Sequence, residues 1–347
     1  MRVLVVNAGS SSLKLRLLGP GDELEAERDL TPDDARALGD ALAQMPRPDA
    51  VGHRVVHGGE RFSDAVLLAD DVVGALRELT DLAPLHQPAA LDGIVSVGDA
   101  LPGVPAVACF DTAFHATLSA AAATYALPRA WRERFGLRRY GFHGLSHAYA
   151  SGRAEAPRVV TCHLGAGASL AAVRDGVCVD TTMGFTPMEG LVMATRSGSV
   201  DPGLVLWLLR HGVNADAVEQ GLDREGGLLG LAGDADMRAV LARDDADARL
   251  ALEVYVHRLR AGIAAMAAAL GGLDALVFTG GVGERAPTVR TRVAAGLGFL
   301  GVALDEQANA RATADAEIGA PGAAARALVV TAREDLEIAR QVRALLA

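Results

Sequence analysis

The chain has 347 residues, of which half are hydrophobic and 22% are charged, with a formal net charge of -10. At about 150 residues per domain, this length predicts about two domains with substantial cores. The composition is that of a folded globular protein rather than a disordered one. The acidic surplus, with no basic block, disfavours nucleic acid as the main partner, because binding phosphates requires concentrated positive charge.

Neither a membrane span nor a disulfide framework is predicted. The longest strongly apolar stretch without charge, residues 261–273, is shorter than the roughly 20 residues that cross a bilayer. The first residues become polar too soon for a secretory signal. The three cysteines, Cys109, Cys162 and Cys178, fit no zinc or disulfide spacing. We therefore expect a cytoplasmic α/β protein.

The chain begins with a strand–turn–strand pattern that recurs near its middle. Residues 3–6 are apolar, residues 7–12 form a glycine- and serine-rich turn, and leucines alternate with polar residues over 13–18, which predicts a β-hairpin. Residues 159–173 repeat this pattern around a second glycine-rich turn. Two such units suggest duplicated domains.

The second half adds helices and a third glycine-rich segment. Apolar residues at three- and four-residue spacing from Val256 to Leu270 predict an amphipathic helix, and residues 334–346 predict a C-terminal one. Between them, an apolar strand over 276–279 leads into a predicted glycine loop over 280–284, and a helix is expected to begin near Pro287.

The first turn has the parts of an anion-binding site. Lys14 is the only lysine among the 33 basic residues, and Asn7 in the same turn is one of three asparagines. This skew indicates that the turn requires a compact ammonium and an amide. Glycine, hydroxyls and lysine can together hold a phosphate, although a glycine-serine hairpin tip alone is more often structural. The turn is not a Walker A loop, because that spacing is absent.

Histidines are concentrated in the middle of the chain. Seven of the nine lie between His53 and His163, which favours one polar cleft over scattered core histidines. His143 and His147 stand four residues apart, as two zinc ligands on a helix do, but no third ligand of matching spacing accompanies them.

Three charged residues suggest recognition of an anion or a catalytic role. Arg54 and Arg196 lie close to glycines, although most arginines of an acidic protein form surface ion pairs of little value. Asp111 stands among aromatic residues and therefore needs a partner cation or a catalytic function.

Eight segments together resemble the acetate kinase family in order and spacing. They are residues 7–14, 53–59, 110–115, 141–147, 163–167, 182–190, 195–203 and 279–284. The combination of N-x-G-S-S-S-x-K with F-D-T-A-F-H and G-F-H-G-x-S-H is highly specific, and the resemblance covers essentially the whole chain. It implies an α/β fold of the two-lobed actin-like ATPase and sugar-kinase superfold, with duplicated βββαβα-type domains. The lobes would be residues 1–112 with 335–347, and residues 113–334.

The resemblance implies reversible phosphoryl transfer between ATP and acetate, giving acetyl phosphate and ADP, with Mg²⁺ or Mn²⁺, in a homodimer. The metal would be held by Asn7 and Glu334. The catalytic residues would be Arg54, Asp111, His143 and Arg196. The acetate site would comprise Arg54, Val56, Leu85 and Pro187. The nucleotide would be bound by Ser10, Ser12, Lys14, His163, Leu164, Gly165, Ala166, Gly167, Asp236, Met237, Arg238, Gly281, Val282, Gly283, Glu284 and Arg285.

Chemistry restricts the role of Asp111. A carboxylic acid such as acetate is already ionised at pH 7, so its attack on a phosphoryl group needs no general base. We therefore expect Asp111 to orient Arg54 or a metal-bound water. Two departures from the family pattern concern the nucleotide: Ala166 and Arg285 each stand where the family usually has asparagine, so the affinity for ATP or the nucleotide preference is expected to differ.

Three alternatives stay open at this point. A propionate kinase would differ by one methylene in the pocket, worth about 1–3 kcal/mol, and Val56 favours the smaller substrate. A non-catalytic actin-like ATPase module would not need the two arginines and an apolar pocket. A histidine-based metallohydrolase would need a third metal ligand.

Overall fold

The computed structural model describes residues 1–8, 12–31, 35–84 and 86–347. The strands are β1 (Val3–Ala8), β2 (Leu13–Leu18), β3 (Leu24–Leu30), β4 (Ala50–Val55), β5 (Val66–Leu67), β6 (Ala106–Phe110), β7 (Arg158–Leu164), β8 (Ala168–Arg174), β9 (Val177–Thr181), β10 (Ala275–Thr279), β11 (Ala316–Glu317) and β12 (Arg326–Val329). The α-helices are α1 (Ala35–Ala43), α2 (Asp70–Glu78), α3 (Gln87–Ala100), α4 (Ala120–Ala123), α5 (Arg129–Phe135), α6 (Gly144–Ala154), α7 (Pro202–Arg210), α8 (Ala215–Asp223), α9 (Gly227–Ala232), α10 (Met237–Leu241), α11 (Ala246–Leu270), α12 (Gly280–Arg285), α13 (Pro287–Ala294), α14 (Glu306–Arg311) and α15 (Glu334–Leu346).

The chain divides into two compact units. The first comprises Met1–Ala116, Phe142–Tyr149 and Arg333–Ala347, and the second comprises Thr117–Gly141 and Ala150–Ala332. The sequence prediction assigned residues 142–149 to the second lobe. They belong to the first unit because the start of α6 inserts Leu145 into the first unit's core, beside Val5 and Ile338.

The first unit is a six-stranded mixed sheet in the order β3-β2-β1-β4-β6-β5. Strands β1 to β3 are antiparallel neighbours, and β4 and β6 run parallel to β1. Alternate residues of β1 point to opposite faces: Leu4 packs with Leu38 of α1, whereas Val3 packs with Ile338 of α15. Helices therefore cover both faces, and the parallel strands are apolar almost throughout.

The second unit repeats this connectivity in the order β11-β12-β10-β7-β8-β9. Strands β7 to β9 are antiparallel neighbours, β10 and β12 run parallel to β7, and β11 closes the far edge in the antiparallel direction. The long helix α11 buries Leu259, Ile263 and Met266, as its spacing predicts. The predicted fold class, with its duplicated domains, is confirmed.

One predicted loop is a helix. Residues 280–284, expected as a glycine loop, belong to α12, which follows β10 directly. The carboxylate of Glu284 accepts a hydrogen bond from the N–H of Gly280 at 3.0 Å and so caps the first turn. Three glycines disfavour a helix by propensity, and this contact offsets part of that cost.

Among the described helices, none combines the length and apolar composition needed to cross a bilayer.

His53 is a buried titratable group in the centre of the first sheet. Its side chain is 2% exposed, and its Nε2 atom has no hydrogen-bond partner among the described residues. Burial lowers the pKa of His53 to about 3. The folded state therefore keeps this imidazole neutral at pH values where the unfolded chain, with an ordinary pKa near 6.5, binds a proton.

We predict that His53 makes the protein less stable in acid. Its contribution to stability is complete above about pH 6.5 and is lost as the pH falls toward 3, because only the unfolded state gains the proton. Between pH 7.5 and 5.5 the loss from this group is about 1.4 kcal/mol. In urea denaturation at both pH values, His53→Leu should lose less stability on acidification than the wild type. The exposed His257, changed to leucine, is the matched control, and an equal pH effect in both variants would contradict the prediction.

Candidate active site

An ion pair lies at the carboxyl ends of the parallel strands in the first unit. Arg54 is the next-to-last residue of β4, and Asp111 immediately follows β6, the neighbouring strand. The Nη2 of Arg54 donates to Oδ2 of Asp111 at 2.6 Å, and its Nε donates to Oδ1 at 3.2 Å. The carboxylate of Asp111 is 1% exposed. Such a fork-to-fork contact fixes the orientation of both side chains.

Two further predicted residues surround the same guanidinium. Asn7, on the adjacent strand β1, accepts a hydrogen bond from Arg54 Nη1 at 3.3 Å. Glu334, the first residue of α15, has its Oε2 at 3.6 Å from Arg54 Nε. The carboxyl ends of neighbouring parallel strands meet at one edge of a sheet, which explains why residues so distant in sequence converge.

This cluster has more carboxylates than arginines. Burial alone would lower the pKa of Arg54, but the carboxylates of Asp111 and Glu334 outweigh it and raise that pKa. Burial raises the pKa of Glu334, and the neighbouring Asp111 adds to the rise, whereas Arg54 and Lys14 oppose it. Two carboxylates thus compete for one arginine, and the cluster can accept further positive charge.

The donor set suits a hard divalent cation. Asn7, Asp111 and Glu334 offer amide and carboxylate oxygens around Arg54, and oxygen is the ligand that Mg²⁺ prefers. Within the described ranges, no three His, Cys, Asp or Glu side chains form a group that could hold a metal by themselves. The described residues therefore do not form the group of ligands that a histidine-based metallohydrolase requires.

His143 has a strained backbone. Its φ of 56° lies in the left-handed region, which costs a non-glycine residue about 1–2 kcal/mol. The next residue, Gly144, donates its N–H to the carbonyl of Asp111 at 2.9 Å, and a Cβ on Gly144 would overlap that carbonyl. His115 Nε2 lies 3.0 Å from the carbonyl of Phe142. These contacts hold His143 in its conformation and join it to the Asp111 segment.

The other predicted site residues of the first unit differ in their exposure. Lys14 is exposed on β2 and is paired in register with Asn7. Ser12 and Val56 are half-buried. Ser10 and Leu85 lie outside the described residues.

In the second unit, Arg196 is held by a loop that precedes it. Its Nη1 donates to the carbonyl of Pro187 at 2.9 Å, and its Nε lies 3.2 Å from Oδ1 of Asp223. Burial lowers the pKa of Arg196, and Asp223 opposes this shift. Pro187, predicted to line an apolar pocket, thus also supplies a carbonyl that orients Arg196. The sequence did not predict a role for Asp223, because this residue lies outside every motif.

Three predicted nucleotide-binding segments of the second unit line one cavity of about 360 Å³. The predicted residues among its walls are Gly165, Ala166, Asp236, Met237, Arg238, Gly281, Val282 and Arg285. The residues that sequence reasoning missed are Ala194, Leu228, Ala235, Leu241, Tyr255 and Ala286. A cavity of this volume, lined mainly by apolar residues with a few polar groups, is of the kind that binds small organic ligands.

The other five predicted nucleotide residues of this unit do not line the cavity. Leu164 is fully buried in β7, Gly283 is buried in α12, and Glu284 caps that helix. His163 is the next-to-last residue of β7, and Gly167 is the last residue before β8.

A fully buried arginine binds the carboxyl end of helix α12. Arg290 donates from Nη1 to the carbonyls of Gly283 at 2.8 Å and Glu284 at 2.7 Å, and from Nε to Oδ1 of Asn309 at 2.6 Å. The amide nitrogen of Asn309 donates in turn to Thr291 Oγ1 at 2.8 Å and to a backbone carbonyl. A cation at the carboxyl end of a helix satisfies the last carbonyls.

Comparison with known proteins shows which proteins this chain resembles. The model of the Acetokinase family matches residues 36–340. An acetate kinase from Synechococcus sp. (strain JA-2-3B'a(2-13)) is 43% identical over 401 aligned residues, covering 100% of this chain and 99% of the relative. The crystal structure of Porphyromonas gingivalis acetate kinase matches with a TM-score of 0.92 at 35% identity, covering all of both chains.

A second solved structure extends the comparison to another substrate. A propionate kinase from Francisella tularensis subsp. tularensis SCHU S4 matches with a TM-score of 0.90 at 35% identity, covering 98% of both chains. The family model spans most of the sequence and the relatives match it from end to end, and the chain therefore belongs to the Acetokinase family.

Proposed function

We propose that this protein transfers the γ-phosphoryl group of ATP to acetate, reversibly, giving ADP and acetyl phosphate. The observation that carries the proposal is the cavity of the second unit, in which three separate predicted nucleotide-binding segments meet. Family membership and the names of the relatives support acetate as the acceptor.

Charge neutralisation and positioning would carry most of the catalysis. Phosphoryl transfer needs little covalent help from the protein, so fixed cations lower the barrier for an anion that attacks a polyanion. Arg54, oriented by Asp111, would receive the acyl carboxylate, and Arg196 would stabilise the transferring phosphoryl group. His143 would donate a hydrogen bond to that group as its charge develops. Asp111 would act through Arg54, because ionised acetate has no proton to give up.

The oxygens of Asn7 and Glu334 would hold Mg²⁺, or Mn²⁺ in its place. When bound, the metal would neutralise phosphate charge. Lys14 and the hydroxyl of Ser12 would add donors toward the phosphates. The surplus of carboxylate around Arg54 supports this assignment.

The substrate series is the experiment that tests the proposed function. ADP release is measured in a coupled assay with acetate, propionate and butyrate, and acyl phosphate is trapped as hydroxamate. We expect kcat/KM to be highest for acetate and to fall by about 10-fold or more for each added methylene. A higher kcat/KM for propionate would indicate the propionate kinase alternative. ATP turnover without hydroxamate would contradict the proposal and indicate a non-catalytic ATPase module.

We predict that Arg196→Ala lowers kcat by at least ~10²-fold, the scale for losing one donor to the transition state. Arg224→Ala is a matched control, because Arg224 also approaches Asp223, at 3.9 Å, but its side chain is 58% exposed. The control should keep the wild-type kcat. Wild-type turnover in purified, folded Arg196→Ala would contradict the assigned role.

We also propose that the protein is a homodimer that acts in the cytoplasm. Helix α7 supports the dimer, because eight of its nine residues are uncharged, none is buried, and Leu204, Leu206, Trp207 and Leu209 are 40–54% exposed. An apolar surface of this kind marks an interface in a folded protein, and a second copy of the chain would cover it.

The dimer proposal predicts that a charge on α7 separates the copies. In light scattering coupled to gel filtration, Trp207→Glu should change the mass from that of two chains to that of one. Phe299→Glu is the control, because Phe299 is 74% exposed outside this helix, and it should stay dimeric. A wild-type protein with the mass of one chain would contradict the proposal.

A further inference from the structure

The segment that carries Arg196 has no regular secondary structure, although much of it is buried. Residues 182–201 contain neither helix nor strand, yet Met183 and Met193 are fully buried. Irregular segments of this length inside a compact domain are uncommon and usually functional. Side-chain contacts and backbone hydrogen bonds outside any helix or sheet therefore give the segment its shape.

Arg139 holds the beginning of this segment. Its Nη1 lies within hydrogen-bond distance of three successive carbonyls, those of Thr181 at 3.2 Å, Thr182 at 3.1 Å and Met183 at 3.0 Å. Its Nη2 donates to Oε1 of Glu189 at 2.8 Å. One guanidinium thus joins the start of the segment to a carboxylate six residues beyond Met183.

Tyr125 holds the same carboxylate from the other side. Its hydroxyl donates to Oε2 of Glu189 at 2.5 Å and accepts from the N–H of Phe185 at 2.9 Å. Gly184 lies beside this contact, and a Cβ there would overlap both the Glu189 carboxylate and the Tyr125 hydroxyl. The glycine of the T-M-G-F-T-P-M-E-G motif is therefore required by the close approach of these groups.

Glu189 is connected to Arg196 through the backbone. Pro187, two residues before Glu189, supplies the carbonyl that accepts from Arg196 Nη1 at 2.9 Å. Immediately after Glu189, Gly190 exchanges hydrogen bonds with Ser199, at 3.0 Å in each direction. The segment from Pro187 to Ser199 is thus closed on itself, and Glu189 anchors it at one end.

We propose that Glu189, clamped between Arg139 and Tyr125, is a positioning residue for Arg196. The carboxylate fixes the Pro187 carbonyl, and this carbonyl fixes the direction of the guanidinium. The inference rests on the proposed function only in assigning Arg196 a part in phosphoryl transfer. Glu189 itself contacts no reacting group in this scheme.

The chemistry of the clamp identifies a diagnostic substitution. Both oxygens of Glu189 accept, one from a guanidinium N–H and one from a phenol O–H. In Glu189→Gln the side chain keeps its shape, but its NH₂ group faces one of these two donors, so one contact is lost. Tyr125→Phe removes the hydroxyl alone and provides a second, milder variant.

A double-mutant cycle tests the inference. Glu189→Gln should lower kcat by about 10-fold with the KM for ATP unchanged, and it should have no further effect in Arg196→Ala, because residues that act through one another are not additive. Tyr125→Phe should behave in the same way with a smaller loss. Glu317→Gln, which weakens the 3.0 Å pair with Arg326 in the same unit, should leave kcat unchanged.

Additive effects of Glu189→Gln and Arg196→Ala would overturn the inference and indicate a merely structural role. The proposed function fails separately, if Arg196→Ala alone keeps wild-type turnover. A readout independent of activity covers that case: in ¹⁵N NMR, the Arg196 side-chain signal, identified by its disappearance in Arg196→Ala, should shift in Glu189→Gln and not in Glu317→Gln. An unshifted signal would also overturn the inference.

Discussion

The first unit depends on a carboxylate that is almost completely removed from water. Asp111 is 1% exposed, and a buried charge without a partner would destabilise the fold by several kcal/mol. Arg54 supplies the partner with two hydrogen bonds, and it can reach Asp111 because β4 and β6 are parallel neighbours. The pairing of β4 with β6 therefore brings Arg54 to Asp111, and Asp111 in turn orients the guanidinium. Substitution of Arg54 or Asp111 would affect both the stability of the fold and the chemistry of the site.

The duplicated topology explains how such different sites arise from one plan. Each sheet places three parallel strands side by side, so that residues at their carboxyl ends lie close together. In the first unit Asn7, Arg54 and Asp111 stand at these ends and form a cluster with Glu334 of α15. In the second, the corresponding ends of β7 and β10 lead into the glycine-rich turn and α12, which leave room for a ligand. Glycines, alanines and a few larger side chains line the cavity, whereas polar and charged side chains form the cluster.

The sequence predicted most of what local pattern determines. The hairpin strands, the long amphipathic helix and the C-terminal helix follow from periodicity and turn chemistry. The nucleotide segments are assigned by resemblance to a family, and parts of all three line the cavity of the second unit. The errors come from contacts that hydrophobic periodicity does not reveal. Residues 142–149 join the first unit through Leu145, and in α12 the side chain of Glu284 caps a first turn that contains two glycines. Asp223 reaches Arg196, and Tyr255 reaches the cavity, only through tertiary packing. No short motif therefore reveals either residue.

The contact between Arg290 and Asn309 shows a position that needs an amide. Asn309 is one of three asparagines in the chain. Its side chain accepts a hydrogen bond from a guanidinium and donates to a hydroxyl and to a backbone carbonyl. Aspartate would lack the donor, and serine would lack the reach. A substitution at Asn309 would therefore leave a buried guanidinium or a buried carbonyl without its partner.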